Sequence, residues 1–338
     1  LALTYDDITA ITRKYYMPKF PQVVFDQNLV QKRLAAKGTK PSSGESIQQP
    51  VMYQNNKGGA YAPYDTFDVS AEQQVTAANF NWKYYEFPIT ISRDELLKNK
   101  GPEGVKKLLD AKMKLAAMKS GDELATDMFE VVTSPGLDSS TKLNSLENML
   151  EDNSGTLVSD GGSGITGTTY GGIDKSTYTW WSGNVTTAAS GDGVNYSDLC
   201  APFYEICDGN IQPNLVVMHN SSFSSYMKGE QAQQRYMKQS EMDAGFLTAM
   251  FNGKQVVADL HVQDSAAHAT TNRLYFLNTD FIDFVTHSDE NNRLEPFAKP
   301  VDQAVGIAHI MWAGELTSCD PSRSGVLADF DSSIVTAW

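Results

Sequence analysis

Cysteine is scarce in this chain: Cys200, Cys207 and Cys319 are the three thiols among 338 residues. An odd, widely spaced set excludes a disulfide scaffold, has no thiolate metal-ligand spacing and fits a reducing compartment. Long apolar runs are missing too. No stretch approaches the roughly 20 residues that a membrane span needs, so no membrane partner is expected. Residues 1–11 lack the basic start and apolar follow-on of a signal peptide. Positive charge is in deficit, with 27 Lys and Arg against 41 Asp and Glu and a formal net charge of −14. Such a surface repels nucleic acid on average and argues against a sequence-specific DNA reader. It still allows a container wall that holds DNA without gripping it.

Recognisable catalytic patterns are absent as well. His219, His261, His268, His287 and His309 form no HxxxH pair, so a metal or acid–base role would need long-range convergence. The serines lack the G-x-S-x-G elbow of a nucleophile. Residues 162–167, GSGITG, match a dinucleotide fingerprint in form. The mechanism needs a helix opening at the third glycine, and TTYGG opens none, so the run reads as a flexible loop. No catalytic residue, metal ligand or cofactor is expected. The sequons at Asn184, Asn195 and Asn220 would matter only in a secretory pathway.

What is present is a globular composition, 41% hydrophobic and 20% charged, with ample material for a core. The first forty residues read as an arm. A helical pattern at 6–16 is followed by Pro18, Pro21, Gly38 and Pro41, and Arg33, Lys37 and Lys40 make the end of the arm locally basic. Residues 44–91 are β-rich, with predicted strands at 47–54, 60–69 and 74–91. Asn55, Asn56, Lys57, Gly58 and Gly59 form the polar break expected at a hairpin tip. In the last strand the apolar side chains fall at Phe80, Trp82 and Tyr84, then shift to Tyr85, Phe87, Ile89 and Ile91. A one-residue slip in a two-residue period predicts a bulge or a change of buried face. Pro88 suits an edge position. The segment has too few strongly apolar residues to stand alone, so it is expected to extend onto a neighbour.

A long helix is predicted over 102–131, opened by Gly101-Pro102-Glu103 and closed by Ser134-Pro135-Gly136. Val105, Leu109, Met113, Ala116, Ser120, Leu124, Met128 and Val131 recur at helical spacing. Lys106, Lys107, Lys112, Lys114 and Lys119 could meet a polyanion or form a solvated face, and interleaved Asp110, Asp122 and Glu123 favour the second reading. Beyond a helix-like 143–150 and a Gly/Ser/Thr-rich 155–172, the chain alternates. Helices are predicted at 194–212 and 222–235. Strands are predicted at 215–219, 255–258, 273–277 and 281–284, with extended chain over 304–317.

Residues 170–181, YGGIDKSTYTWW, concentrate aromatic surface without chemistry. On a strand, Trp180 and Trp181 would point to opposite faces. Core packing accounts for one ring, and the second leaves a subunit contact open.

In chain order, the series Trp82-Lys83, Ile89, Ile91-Ser92, Glu95-Leu96 and Asn99-Lys100-Gly101, then YGGIDKSTYTWW, QQRY at 233–236, GKQVVAD at 253–259, RLYFLNTDFIDF at 273–284 and GELTSCDPSRSGVLADF at 314–330 resembles tailed-bacteriophage major capsid proteins of the Hong Kong 97 type. No single match is strict; their order over almost the whole chain carries the likeness. The resemblance implies an α+β Hong Kong 97-type capsid fold. Its parts would be an N-terminal arm (1–43), an extended β-hairpin loop (44–91), a peripheral domain with a long spine helix (92–140 and 284–338) and an axial domain (141–283). It implies a non-enzymatic subunit that self-assembles into pentamers and hexamers of an icosahedral head in the host cytoplasm and then resides in the virion. The assembly interface would include Asn55–Gly59, Trp180 and Trp181. Arg33, Lys37, Lys106, Lys107 and Lys112 would face packaged double-stranded DNA with weak nonspecific contact. Scaffolding protein, portal and a decoration protein are the further partners implied. Some relatives form a lysine–asparagine crosslink from the extended loop; Lys57 lies at the predicted tip, with no partner identified. An encapsulin-like compartment shares the fold, and a hydrolase or carbohydrate-binding protein is the reading from a different class.

Overall fold

The computed structural model describes residues 28–55, 57–64, 66, 67, 70, 72–98, 102–130, 141–150, 169–188, 194, 196–229, 248–264, 272–300 and 304–331. Expectations for 6–16, 131, 155–168, 230–235, QQRY at 233–236 and Asn99–Gly101 lie outside them.

The described part of the arm is a docked helix, α1 (Leu29–Lys37). Asn28 caps it: its side-chain oxygen accepts from the Val30 and Gln31 amides at 2.9 and 3.2 Å, meeting two otherwise orphaned donors. Leu29, Val30 and Leu34 are buried in the same core as Phe284 and Val285. The proline-interrupted arm expected here thus contains a helix that the sequence reading missed.

Strands β1 (Ile47–Met52) and β2 (Val75–Phe80) pair antiparallel from Ile47↔Phe80 to Met52↔Val75. The chain then breaks for two residues, and β3 (Lys83–Ser92) joins a different sheet. The change of buried face expected between Tyr84 and Tyr85 falls instead at 81–82, where the chain passes from one sheet to another, and β3 runs unbroken through Tyr84 and Tyr85. Phe87, Ile89 and Ile91 are buried while Tyr84 is 72% exposed. Among the described residues β3 pairs with β13 alone, which places Pro88 on an edge strand there. The predicted strand at 60–69 does not form in its described residues. Pro63 lacks an amide donor, and no strand among the described residues pairs with the described residues of 60–69.

Ser92 and Glu95 form a capping box at the start of α2 (Arg93–Lys98). The Ser92 amide donates to Glu95 Oε2 at 2.9 Å, and the Glu95 amide donates to Ser92 Oγ at 3.2 Å. The long helix α3 (Pro102–Met128) follows. Its Leu109, Met113 and Ala117 pack on Phe87, Ile89 and Ile91 of β3 and on Ala308 and Ile310. The buried stripe runs through Ala117, one position beyond the expected Ala116, and then through Ser120, Leu124 and Met128.

The short helix α4 (Leu146–Leu150) is buried throughout. A hairpin follows, β4 (Thr169–Tyr170) and β5 (Ile173–Asp174), then β6 (Asn184–Thr187) and α5 (Tyr196–Ile206). Next come β7 (Leu215–Met218), α6 (Asn220–Gly229), β8 (Thr248–Phe251), β9 (Lys254–Ala258) and β10 (Arg273–Leu277). The chain ends in β11 (Ile282–Thr286), β12 (Arg293–Leu294), the 14-residue β13 (Val305–Ser318) and β14 (Gly325–Ala328).

A six-stranded sheet runs β6-β14-β10-β7-β9-β8, with β6/β14 and β7/β9 parallel. Both of its faces are covered. Val216, Met218, Leu274 and Phe276 face Leu199, Phe203, Phe223 and Tyr226 of α5 and α6. Their alternates Leu215, Val217, Tyr275 and Leu277 face Phe129, Leu146 and Met149. Two buried faces explain the unbroken apolar runs LVVM and RLYFL. β13 forms the second large sheet with β3, β11 and β12.

Strand pairing crosses two of the expected boundaries. Residues 83–92 lie with β13, while β1 and β2 pair with each other. Residues 325–328, expected with the spine helix, complete the six-stranded sheet between β10 and β6.

Candidate functional site

The residues between β1 and β2 present the most unusual surface. Met52, Tyr61, Tyr64, Phe67 and Val75 are 85, 68, 99, 68 and 53% exposed. Tyr61 and Phe67 touch edge to face at 5.2 Å. Lys57 Nζ reaches Glu72 Oε1 at 2.8 Å and Ser70 Oγ at 3.0 Å, and the Gln54 amide donates to Glu72 Oε2 at 2.9 Å. These polar contacts span the segment, so the expected hairpin tip is instead part of a long connection between Met52 and Val75. Asn56 lies outside the described residues; Asn55, Lys57, Gly58 and Gly59 are all exposed. Clustered exposed aromatics of this kind mark an interaction surface.

The run 170–181 is the anchor at the base of that projection. Gly171 (φ 59°) and Gly172 (φ 74°) turn β4 into β5, both in the left-handed region that a type I′ hairpin needs. A Cβ on Gly171 would also lie 2.7 Å from the Phe80 ring, and its carbonyl accepts from the Asn79 amide at 2.8 Å. Asp174 accepts from the Ser176 amide and hydroxyl at 2.9 and 2.8 Å. Lys175 is fully buried: its ammonium donates to the carbonyls of Asn148 (2.6 Å) and Met149 (3.3 Å) in α4 and lies 5.6 Å from the Tyr170 ring centre.

The two tryptophans do not lie on a strand. Residues Thr179–Trp181 form one turn of 3₁₀ helix. Trp181 is fully buried, and its Nε1 donates to the Tyr170 carbonyl at 2.9 Å. The subunit's own core therefore occupies both its ring and its polar handle. Trp180 is partly buried and stacks on Tyr53, just beyond β1, at 5.1 Å. It is the tryptophan of the pair that keeps surface.

The charged candidates separate. Arg33 donates to Gln255 Oε1, and Lys37 pairs with Asp280. Lys112 Nζ donates to the Thr90 carbonyl at 2.6 Å and to Glu95 Oε2 at 2.8 Å. It thereby fastens α3 to the capping box of α2, and this bond holds the Glu95 carboxyl below its ordinary value. Lys107 is exposed, and the side chain of Lys106 lies outside the described residues. Lys119 pairs with Glu123 on its own helix, as a solvated face would.

One cluster resembles hydrolase machinery and fails geometrically. His219 Nδ1 is 2.9 Å from both Asp264 Oδ2 and Ser221 Oγ. A relay needs carboxylate and hydroxyl on opposite ring nitrogens. Burial pushes the Cys200, Cys207 and Cys319 thiols above their ordinary values, away from the nucleophilic thiolate. A groove of ≈ 200 Å³ beside Trp82, lined by Thr39, Pro41, Ile47 and Asp283 among others, is smaller than usual ligand pockets. Among the described residues no group of three or more His, Cys, Asp or Glu could hold a metal ion, and no helix is long and apolar enough to cross a membrane.

No protein-family model matches the chain, and no curated protein matches it. Solved structures do. The cyanophage A-1(L) capsid subunit is 12% identical, with 94% of each chain covered and a TM-score of 0.62. The capsid of a native GTA particle is 13% identical over 87% of this chain and 89% of that one, at 0.57. The SrpI encapsulin of Synechococcus elongatus PCC 7942 is 8% identical over 100% and 99%, at 0.55. The chain has the Hong Kong 97-type fold of such shell subunits, mixed α and β as the sequence implied.

Proposed function

We propose that this chain is the major capsid protein of a tailed bacteriophage, a non-enzymatic subunit that builds an icosahedral head. The observation that carries the reading is a shell-subunit fold matched end to end with the cyanophage capsid. The exposed aromatics between β1 and β2 support it, since they are surface that a neighbour would cover. One face of each copy meets a different face of the next, and rotation closes the contact into pentamers and hexamers. The projecting hairpin lies over the adjacent subunit and seats Tyr61, Tyr64 and Phe67 there, with Asn55–Gly59 and Trp180 at the margin. The six-stranded sheet with α5 and α6 corresponds to the axial domain around those symmetry axes. The α3–β3–β13 layer corresponds to the peripheral domain.

Packaged double-stranded DNA is confined by the acidic wall and touched weakly by the cations Arg33, Lys37, Lys106, Lys107 and Lys112, of which Lys107 is exposed, while Lys37 and Lys112 also pair with Asp280 and Glu95. Scaffolding protein, portal and a decoration protein are partners by the same reading; assembly occurs in the host cytoplasm and the product is the virion. The likeness to the SrpI encapsulin, which spans the whole chain, supports a second reading as a compartment shell with protein cargo.

Electron microscopy of the purified protein tests both. Uniform shells are expected, with nucleic acid inside separating virus from compartment. A 37.1 kDa monomer under all conditions would refute both. Replacing Tyr61, Tyr64 and Phe67 together by serine should abolish shells while far-UV circular dichroism stays unchanged; normal shells would refute the role given to the hairpin.

A further inference from the structure

His261 lies just beyond β9, between two carboxylates that belong to different parts of the fold. Its Nε2 is 3.0 Å from Asp122 Oδ1 on α3, and its Nδ1 is 3.1 Å from Asp259 Oδ1 at the end of β9. The Asp259 oxygen also accepts from the His261 amide at 3.0 Å. A neutral imidazole has one N–H, and satisfying a carboxylate at each nitrogen takes two. The arrangement is built for the imidazolium.

The charged groups facing the ring are Asp122 from α3 and Asp259 from its own segment. Next along α3, Lys119 and Glu123 pair with each other. Beyond the ring, Asp264 is engaged by His219. The Asp259 side chain is 5% exposed and the Asp122 side chain 60%.

We infer that Asp122, His261 and Asp259 form a pH-sensitive latch that clips the long helix α3 to the six-stranded sheet. Loss of one imidazole proton turns a lone pair toward a carboxylate, and one contact must break. Asp259 keeps the His261 amide and is nearly buried, so the contact to Asp122 is the one released. Hydrogen bonding by Asp259 first, then by Asp122, holds the imidazole above its ordinary value against the opposing effect of burial. The folded value is raised, so the stabilisation is complete below the unfolded value of about 6.5 and is lost as pH rises through the folded one. The latch is a property of the subunit, so it can fail or hold whatever the chain assembles into.

Hydrogen exchange of the full chain, read by mass spectrometry and corrected for intrinsic pH dependence, tests it between about pH 5.5 and about pH 8.5. In the wild type, peptides covering 116–126 and 259–264 should lose protection by about two- to five-fold on the alkaline side, the range of a partly exposed ion pair. Asp122→Ala removes an exposed side chain and should show the unlatched level at every pH, as should His261→Ala. Corrected exchange that is flat with pH in the wild type would overturn the latch. So would an Asp122→Ala variant that retains the wild-type pH dependence.

Discussion

Replacing Arg273 by methionine should cost this fold about 3–5 kcal/mol, more than any exposed ion pair could. Arg273 is 1% exposed, at the start of β10. Its Nε donates to Glu147 Oε1 at 2.7 Å, and its Nη1 donates to Asp329 Oδ1 at 3.0 Å and to the Asn272 carbonyl at 3.1 Å. Glu147 is fully buried on α4, so truncation strands a carboxylate that water does not reach. Methionine keeps most of the volume, which makes the lost charge the dominant change. With a urea dependence on the order of 3 kcal/mol per molar, the unfolding midpoint should fall by about 1–1.7 M at neutral pH. The double variant Arg273→Met/Glu147→Leu should recover most of the loss, since it removes the stranded charge along with its partner. Urea titration followed by circular dichroism measures all three proteins. A single variant within 1 kcal/mol of wild type, or a double variant as weak as the single, would refute the reasoning.

Two further outcomes follow from the anchor at 170–181. Gly171→Ala forces a Cβ into the left-handed region 2.7 Å from the Phe80 ring and should cost about 1–3 kcal/mol in a urea titration, whereas Gly172→Ala meets no atom and should cost less. Trp181→Ala should cost about 3–5 kcal/mol, and Trp180→Ala clearly less, because Trp181 alone is fully enclosed; equal losses would show that the second ring is as deeply seated as the first.

The local rules were legible in the sequence. The long helix with its proline start, the strands LVVM and RLYFL and the existence, though not the position, of a change of buried face within 74–91 all follow from propensity and spacing, which act over a few residues. The ordered landmarks carried the shell fold further than any single motif, because a fold constrains many separated positions weakly. Tertiary structure decided the rest, for reasons of partnership. The chain changes sheet at 81–82 because β13 offers β3 a ladder from Lys83 onward, and the described residues of 60–69 have no such partner among the described strands. Helix α1 needed the Phe284 surface to become worth forming, while Asn28 was the one local signal for it. Lys112 and Lys175 read as ordinary cations in the sequence, yet Glu95 and the α4 carbonyls hold them through contacts 17 and 27 residues away. The paired carboxylates around His261 lie even farther apart, 139 and 2 residues from it. Charge and aromaticity are properties of a residue, but burial and pairing belong to the space around it, and only the folded chain supplies that space.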